Sequence, residues 1–105
     1  MFEFGKIVLI PFPFTDLTST KIRPALIISA KNETADLIVA FISSHQKSDG
    51  LPIKKSAENG LKVDSTIRFN KIATLNKKLI LGEIGEISRD FLEKKKKYFF
   101  QNFGF

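Results

Sequence analysis

The stretch Lys21-Ile22-Arg23-Pro24-Ala25-Leu26-Ile27-Ile28-Ser29 sets an arginine ahead of an apolar run. Ala25 to Ser29 reads as a strand, and Leu37 to Ser43 reads as a second. The polar residues Lys31 to Asp36 join them by a short connection, which places both strands centrally in a sheet. Pro24 locks its own backbone and pushes the preceding residue toward an extended conformation. Arg23 is therefore expected at the strand entrance with its guanidinium aimed outward, where a cation suits phosphate or carboxylate.

Before this pair, Ile7 to Ile10 reads as a short buried strand between Gly5 and the punctuation Pro11-Phe12-Pro13. Thr15 to Lys21 is polar and reads as a surface loop. After it, Ser44 to Gly50 reads as a polar loop over or beside the sheet. Leu51 to Lys55 reads as a short edge strand, because Pro52 cannot donate to a central ladder. Gly60 signals a turn, and Thr66 to Leu75 resumes strand alternation. Ile67 and Phe69 then share one face, with Arg68 and Asn70 on the other. Lys77-Lys78 marks a turn, and Leu79 to Ile84 reads as a strand ending at Gly85. Ser88 is positioned to cap a helix, with Asp90 near the positive end of its dipole. Phe91, Leu92, Lys95, Tyr98, Phe99 and Asn102 follow helical spacing. Short strands at close spacing with one terminal helix predict a small, strongly bent antiparallel sheet or barrel.

A chain of 105 residues suits one hydrophobic core, so residues 1–105 read as a single domain. Hydrophobic residues make up 43% and charged residues 27%, the balance of a folded chain. A net charge of +6 favours a polyanionic partner, nucleic acid foremost, although a lysine-decorated surface has the same composition. No cysteine is present, which excludes disulfides and thiolate metal sites. The N-terminal apolar run lacks the features of a signal peptide, and no apolar stretch has the length of a membrane span. A cytoplasmic protein is the expectation.

One histidine, no HExxH and scattered aspartates argue against a zinc or two-metal centre, and no cofactor is expected. What remains is Arg23, Ser43, Ser44, His45, Arg68 and Asn70. Metal-free RNA cleavage needs a base for the 2′-OH, donors for the phosphorane oxygens and an acid for the leaving 5′-oxygen. Arginines and hydroxyls supply donors. Three of these residues also have a plainer role available: Arg23 pairing with Asp16, Ser43 bonding to backbone, and Arg68 pairing across strands with Glu83. His45 is open between general base and an exposed or base-stacking residue. Lys94 to Lys97 reads as a solvated helix surface.

Several segments together resemble the MazF/PemK toxins of type II toxin-antitoxin systems, which are small sequence-selective endoribonucleases. They are Gly5-Lys6-Ile7-Val8, Lys21 to Ser29, Ala40-Phe41-Ile42-Ser43-Ser44, and Asp64-Ser65-Thr66-Ile67-Arg68-Phe69-Asn70-Lys71-Ile72-Ala73-Thr74-Leu75. The resemblance implies a mainly β fold, an SH3-like, strongly curved antiparallel barrel of the CcdB/MazF/PemK type with a C-terminal helix. It implies a homodimer whose interface helps line an RNA groove. It also implies metal-independent cleavage of single-stranded RNA to 2′,3′-cyclic phosphate and 5′-hydroxyl ends, and inhibition by a cognate antitoxin with an acidic tail. Arg23 and Ser43 then correspond to catalytic positions, and Lys21, Ser44, His45, Arg68 and Asn70 to RNA-contacting ones.

The chain departs from that pattern twice. Lys6 follows Gly5 where the family usually has an acidic residue, and Asn70 stands where some members carry an aspartate base. An amide cannot take a proton at neutral pH. Two alternatives follow: a noncatalytic RNA-binding member, motivated by Asn70, or a gyrase poison of the same fold, motivated by the terminal Phe103-Gly104-Phe105.

Overall fold

Continuous apolar character in Ala25-Leu26-Ile27 requires cover on both faces of a strand, because successive side chains point to opposite sides. That is how the chain folds. The computed structural model describes residues 3–12, 21–30, 35–44 and 50–95. Six antiparallel strands form one sheet: β1 (Lys6–Phe12), β2 (Lys21–Ala30), β3 (Asp36–Ser43), β4 (Leu51–Ile53), β5 (Ser65–Asn76) and β6 (Gly82–Glu86). Their order is β4-β5-β3-β2-β1-β6, so β2 and β3 are central as expected. Ile7, Leu26, Ala40, Ile42 and Ile67 pack on one face, joined by Leu92 of the helix α1 (Arg89–Lys94). Val8, Ile10, Ala25, Ile27 and Val39 pack on the other. Full burial of a side chain such as Leu26 contributes on the order of 2 kcal/mol.

Bulges bend the sheet. Register shifts fall at Ile7/Val8 between β1 and β6, at Ile27/Ser29 between β2 and β3, and at Ala40/Phe41 between β3 and β5. The last is large: Ala40 pairs with Ile72 and Phe41 with Arg68, which places Phe69, Asn70 and Lys71 between two successive pairs. The curl brings β6 round to the turn that follows β4, making a half-barrel.

Asn59 organises that turn. Its Oδ1 accepts from the backbone N–H of Ser56 (3.0 Å) and of Leu61 (2.9 Å), and its Nδ2 donates to the Lys54 carbonyl (2.9 Å). The Ser56 hydroxyl accepts from the Asn59 N–H at 3.1 Å, so the oxygen, the nitrogen and the backbone N–H of the buried residue are all hydrogen-bonded. The turn then meets β6 backbone to backbone, with Glu86 N–H donating to the Glu58 carbonyl at 3.0 Å. Gly60, at φ +72°, lies against the Ile84 carbonyl, and Gly85 lies against the backbone of Glu58 and Asn59. A Cβ at either position would collide with main chain, which cannot yield as a side chain can.

Some expected boundaries shift. Arg23 is not at a strand mouth: β2 begins at Lys21, and Arg23 is paired with Ile10 within the ladder. β1 runs through Pro11, which pairs with Ile22. The strand expected over Leu79 to Ile84 forms instead over Gly82–Glu86, with Gly85 inside it, because Lys77–Leu79 makes a 3₁₀ turn capped by the Asn76 side chain. β4 lies at the edge with Pro52 exposed, as read from the sequence. Ser88 caps α1, its hydroxyl accepting from Phe91 N–H at 3.2 Å. The helical spacing beyond Lys95 lies outside the described residues.

Lys6 accounts for its own departure from the family pattern. β6 offers two glutamates, and the Lys6 ammonium sits 3.3 Å from Glu86 and 3.6 Å from Glu83. The bond to Glu86, followed by the charges of Glu83 and Glu86, raises the Lys6 pKa. A lysine pKa raised by folding adds stability that is present below its ordinary value of 10.5 and is lost as pH rises through the folded value.

Two outcomes follow. Gly85→Ala destabilises the fold by about 3 kcal/mol, read from urea denaturation midpoints at unchanged slope. In low salt at neutral pH, wild type melts above Lys6→Gln. That difference disappears as the pH is taken above 10.5, whereas a pH-independent difference would remove the ion pair as its cause.

Candidate functional site

Pro24 decides what happens at one end of the sheet. A proline has no N–H to donate, and the β2–β3 ladder stops at Ala25 and Phe41, one residue short of it. β2 nevertheless continues back to Lys21 along β1, and β3 continues to Ser43 along β5. Carried two residues further, the same register sets Arg23 opposite Ser43. Adjacent strands lie about 4.8 Å apart where they pair, and beyond Ala25 and Phe41 the β2–β3 register is no longer paired.

Alternation then sorts the side chains. Arg23 and Lys21 share the face of Ala25, and Ser43 shares the face of Phe41, the residue paired with Ala25. Phe41 pairs with Arg68 and Ser43 with Thr66, which extends the same face across β5. Three neighbouring strands thus present Arg23, Ser43, Thr66 and Arg68 together, at the polar end of the face whose other end is the Val8–Ile10–Ala25 cluster. Thr66, a buried hydroxyl facing Ser43 across the ladder, was not among the residues singled out from the sequence. Only its position two residues before Arg68, on the same face, could have marked it.

The two arginines differ in surroundings. Arg23 is exposed and forms no ion pair among the described residues. Asp16, its possible partner from the sequence, lies outside them. Arg68 is half-buried, and its Nε is enclosed without a hydrogen-bond partner among the described residues. The cross-strand pairing of Arg68 with Glu83 does not form: β5 and β6 are not neighbours, and Glu83 is taken by Lys6. A buried donor left unmatched costs about 1–3 kcal/mol, and Arg68 carries that cost among the described residues.

The remaining positions divide. Lys21 and Ser44 are exposed at the same sheet end. Asn70 is exposed within the β5 bulge, outside the register that aligns Arg68 with β3. His45 and the terminal Phe103-Gly104-Phe105 lie outside the described residues. A cavity of about 480 Å³ opens beyond β3, lined by Ser44, Lys55, Val63 and Asp64. Another, of about 430 Å³, lies among Ile53, Ile87 and Phe91 of the opposite face and touches none of the residues above. Among the described residues no three of His, Cys, Asp and Glu come together, and no helix is long and apolar enough to cross a membrane.

Arginine donors flanking a hydroxyl can hold a phosphodiester, and known proteins share this scaffold. The chain resembles an endoribonuclease solved with its cognate antitoxin from a mycobacterial species, at 16% identity and TM-score 0.76, covering 99% of this chain and 96% of that one. The Mycobacterium tuberculosis toxin MazF-mt6 is 19% identical with TM-score 0.72, covering 93% and 95%. MazF from Deinococcus radiodurans is 18% identical with TM-score 0.71, covering 98% and 96%. At these identities the likeness establishes the fold. No curated protein matches the chain. The family model of PemK-like, MazF-like toxins of type II toxin-antitoxin systems matches residues 3–99. A curled antiparallel half-barrel with a short C-terminal helix, matched over nearly its whole length, therefore belongs to the PemK-like, MazF-like toxin family of type II toxin-antitoxin systems.

Proposed function

We propose that this chain is a toxin endoribonuclease that cleaves single-stranded RNA without a metal ion. The observation that carries the reading is the shared face of Arg23, Ser43 and Arg68 on β2, β3 and β5, with Arg68 Nε enclosed and unbonded among the described residues. Endoribonucleases among the structural neighbours support it, one of them solved with its cognate antitoxin.

In the proposed reaction the ribose 2′-OH attacks phosphorus as its proton passes to solvent water, and the bond to the 5′-oxygen breaks as that oxygen is protonated, leaving a 2′,3′-cyclic phosphate and a 5′-hydroxyl. Charge builds on the nonbridging oxygens of the phosphorane. Arg23 and Ser43 donate to those oxygens, and Arg23 is the group closest in chemistry to an acid for the leaving oxygen. Arg68 grips the phosphate and keeps it in register. Asn70 orients the ribose rather than taking its proton. Lys21, Ser44 and His45 extend the contact along the strand. The whole of residues 1–105 acts as one toxin domain in the cytoplasm, as a homodimer. Its antitoxin covers the same basic sheet end with an acidic, partly disordered tail.

Arg23→Ala lowers cleavage of a long RNA in excess EDTA by about 100-fold or more. Its melting temperature stays unchanged, because the side chain is exposed. Wild-type RNA that stays intact while growth is arrested would sink the nuclease reading, and gyrase-linked DNA breaks would replace it. Arg68→Met keeps or raises stability by about 1 kcal/mol, since no hydrogen bond is lost. The same change weakens RNA binding and lowers the slope of log affinity against log salt by about one. A destabilised Arg68→Met with unaltered RNA binding would make Arg68 structural.

A further inference from the structure

We infer that the cavity beyond the end of β3 is a base-reading subsite for a nucleotide beside the cut, one that accepts bases carrying an exocyclic amine and rejects uracil. This rests on the endoribonuclease reading above and assigns the specificity of that site.

The cavity, about 480 Å³, has the size of a small-molecule pocket and is lined by Ser44, Lys55, Val63 and Asp64. Topology puts it next to the arginines. Ser44 follows Ser43, Asp64 lies two residues before Thr66, the partner of Ser43, and the pair Ile53–Ser65 brings the end of β4 to the same place.

Three of the four lining residues match parts of a nucleotide. Asp64 Oδ1 accepts from the Lys55 backbone N–H at 2.9 Å, which orients the carboxylate. Its second oxygen has no hydrogen-bond partner among the described residues. Lys55 lines the same cavity and forms no ion pair with Asp64 among the described residues, so both charges remain available. Val63, 50% exposed, offers an apolar wall to the face of a base. Lys54 and Lys62 are exposed along the same segment and add attraction for the backbone.

A carboxylate oxygen reads donors. Adenine, cytosine and guanine each carry an exocyclic amine at the base edge. The N3–H of uracil lies between two carbonyl oxygens, whose lone pairs repel an approaching carboxylate. Lys55 meets phosphate, which carries no sequence information, so the two residues separate affinity from specificity.

Asp64→Asn tests this in the full chain. Asparagine keeps the acceptor for the Lys55 N–H and replaces the free oxygen with a donor, and circular dichroism melting verifies the fold. Random-sequence RNA is used twice: cut sites of wild type and Asp64→Asn are sequenced, and so is RNA retained by Arg23→Ala with and without Asp64→Asn. The expected wild-type profile disfavours uracil by roughly tenfold at one position flanking the cut. Asp64→Asn moves that position toward uracil and leaves the others as they were. Lys55→Gln weakens all sequences alike and lowers the salt slope by about one. Base preferences identical in the two Asp64 forms, in cutting and in retention, overturn the subsite, as does a profile with no position that avoids uracil. Intact RNA with an Asp64-dependent preference in the retained pool supports the subsite and overturns only the nuclease reading.

Discussion

Closure of the sheet at the Asn59 turn is the constraint on which the rest of the molecule depends. A six-stranded sheet with apolar residues on both faces needs two covers, and a chain of this length has one short helix and one 3₁₀ turn among its described residues. Curling supplies the difference by folding the sheet over its own inner face. The curl holds only if its two ends meet. They meet as main chain on main chain, with Gly60 against Ile84, Gly85 against Asn59, and Glu86 bonded to Glu58. Asn59 keeps the turn in one conformation by satisfying the backbone groups that the turn would otherwise bury unpaired.

The same economy shapes the site. Apolar residues occupy both faces through the middle of β2 and β3, so polar side chains can collect only toward a strand end. Pro24 makes that end distinct by stopping the β2–β3 ladder, and the β5 bulge brings Arg68 opposite Phe41, beside Ser43. An unmatched guanidinium nitrogen in the sheet costs stability that no other feature of the described structure requires. Under the proposed function, a bound phosphate offsets that cost. The ion pairs of Lys6 have no such role, as they tie β1 to β6 near the start of β1 and stand apart from the arginines.

Much of this is legible in the amino-acid sequence. The two central strands, the edge strand at Pro52, the turn at Gly60 and the Ser88 cap rest on local rules that tertiary packing did not override. The misplacements have local causes too. Pro24 and Pro11 suggested boundaries, yet a proline is accommodated in a ladder on the side where it has no N–H to give. Leu79 and Ile80 looked like strand residues because a half-buried 3₁₀ turn and a short strand can show the same apolar run. Arg23, Ser43 and Arg68 stood out by residue type and by resemblance. Thr66, Lys55 and Asp64 did not, because nothing in their spacing reveals a cavity.

By itself the sequence determined the strand periodicity, the helix cap, the basic balance and the absence of a cysteine framework, since each depends only on neighbouring residues or on totals. Tertiary structure alone decided which strands adjoin, that Glu83 serves Lys6 and not Arg68, and that Asp64 and Lys55 share a cavity with Ser44. The physical reason is the bulges. Each shifts register by an amount that side-chain patterning does not encode, and a shift of one residue exchanges the two faces of a strand.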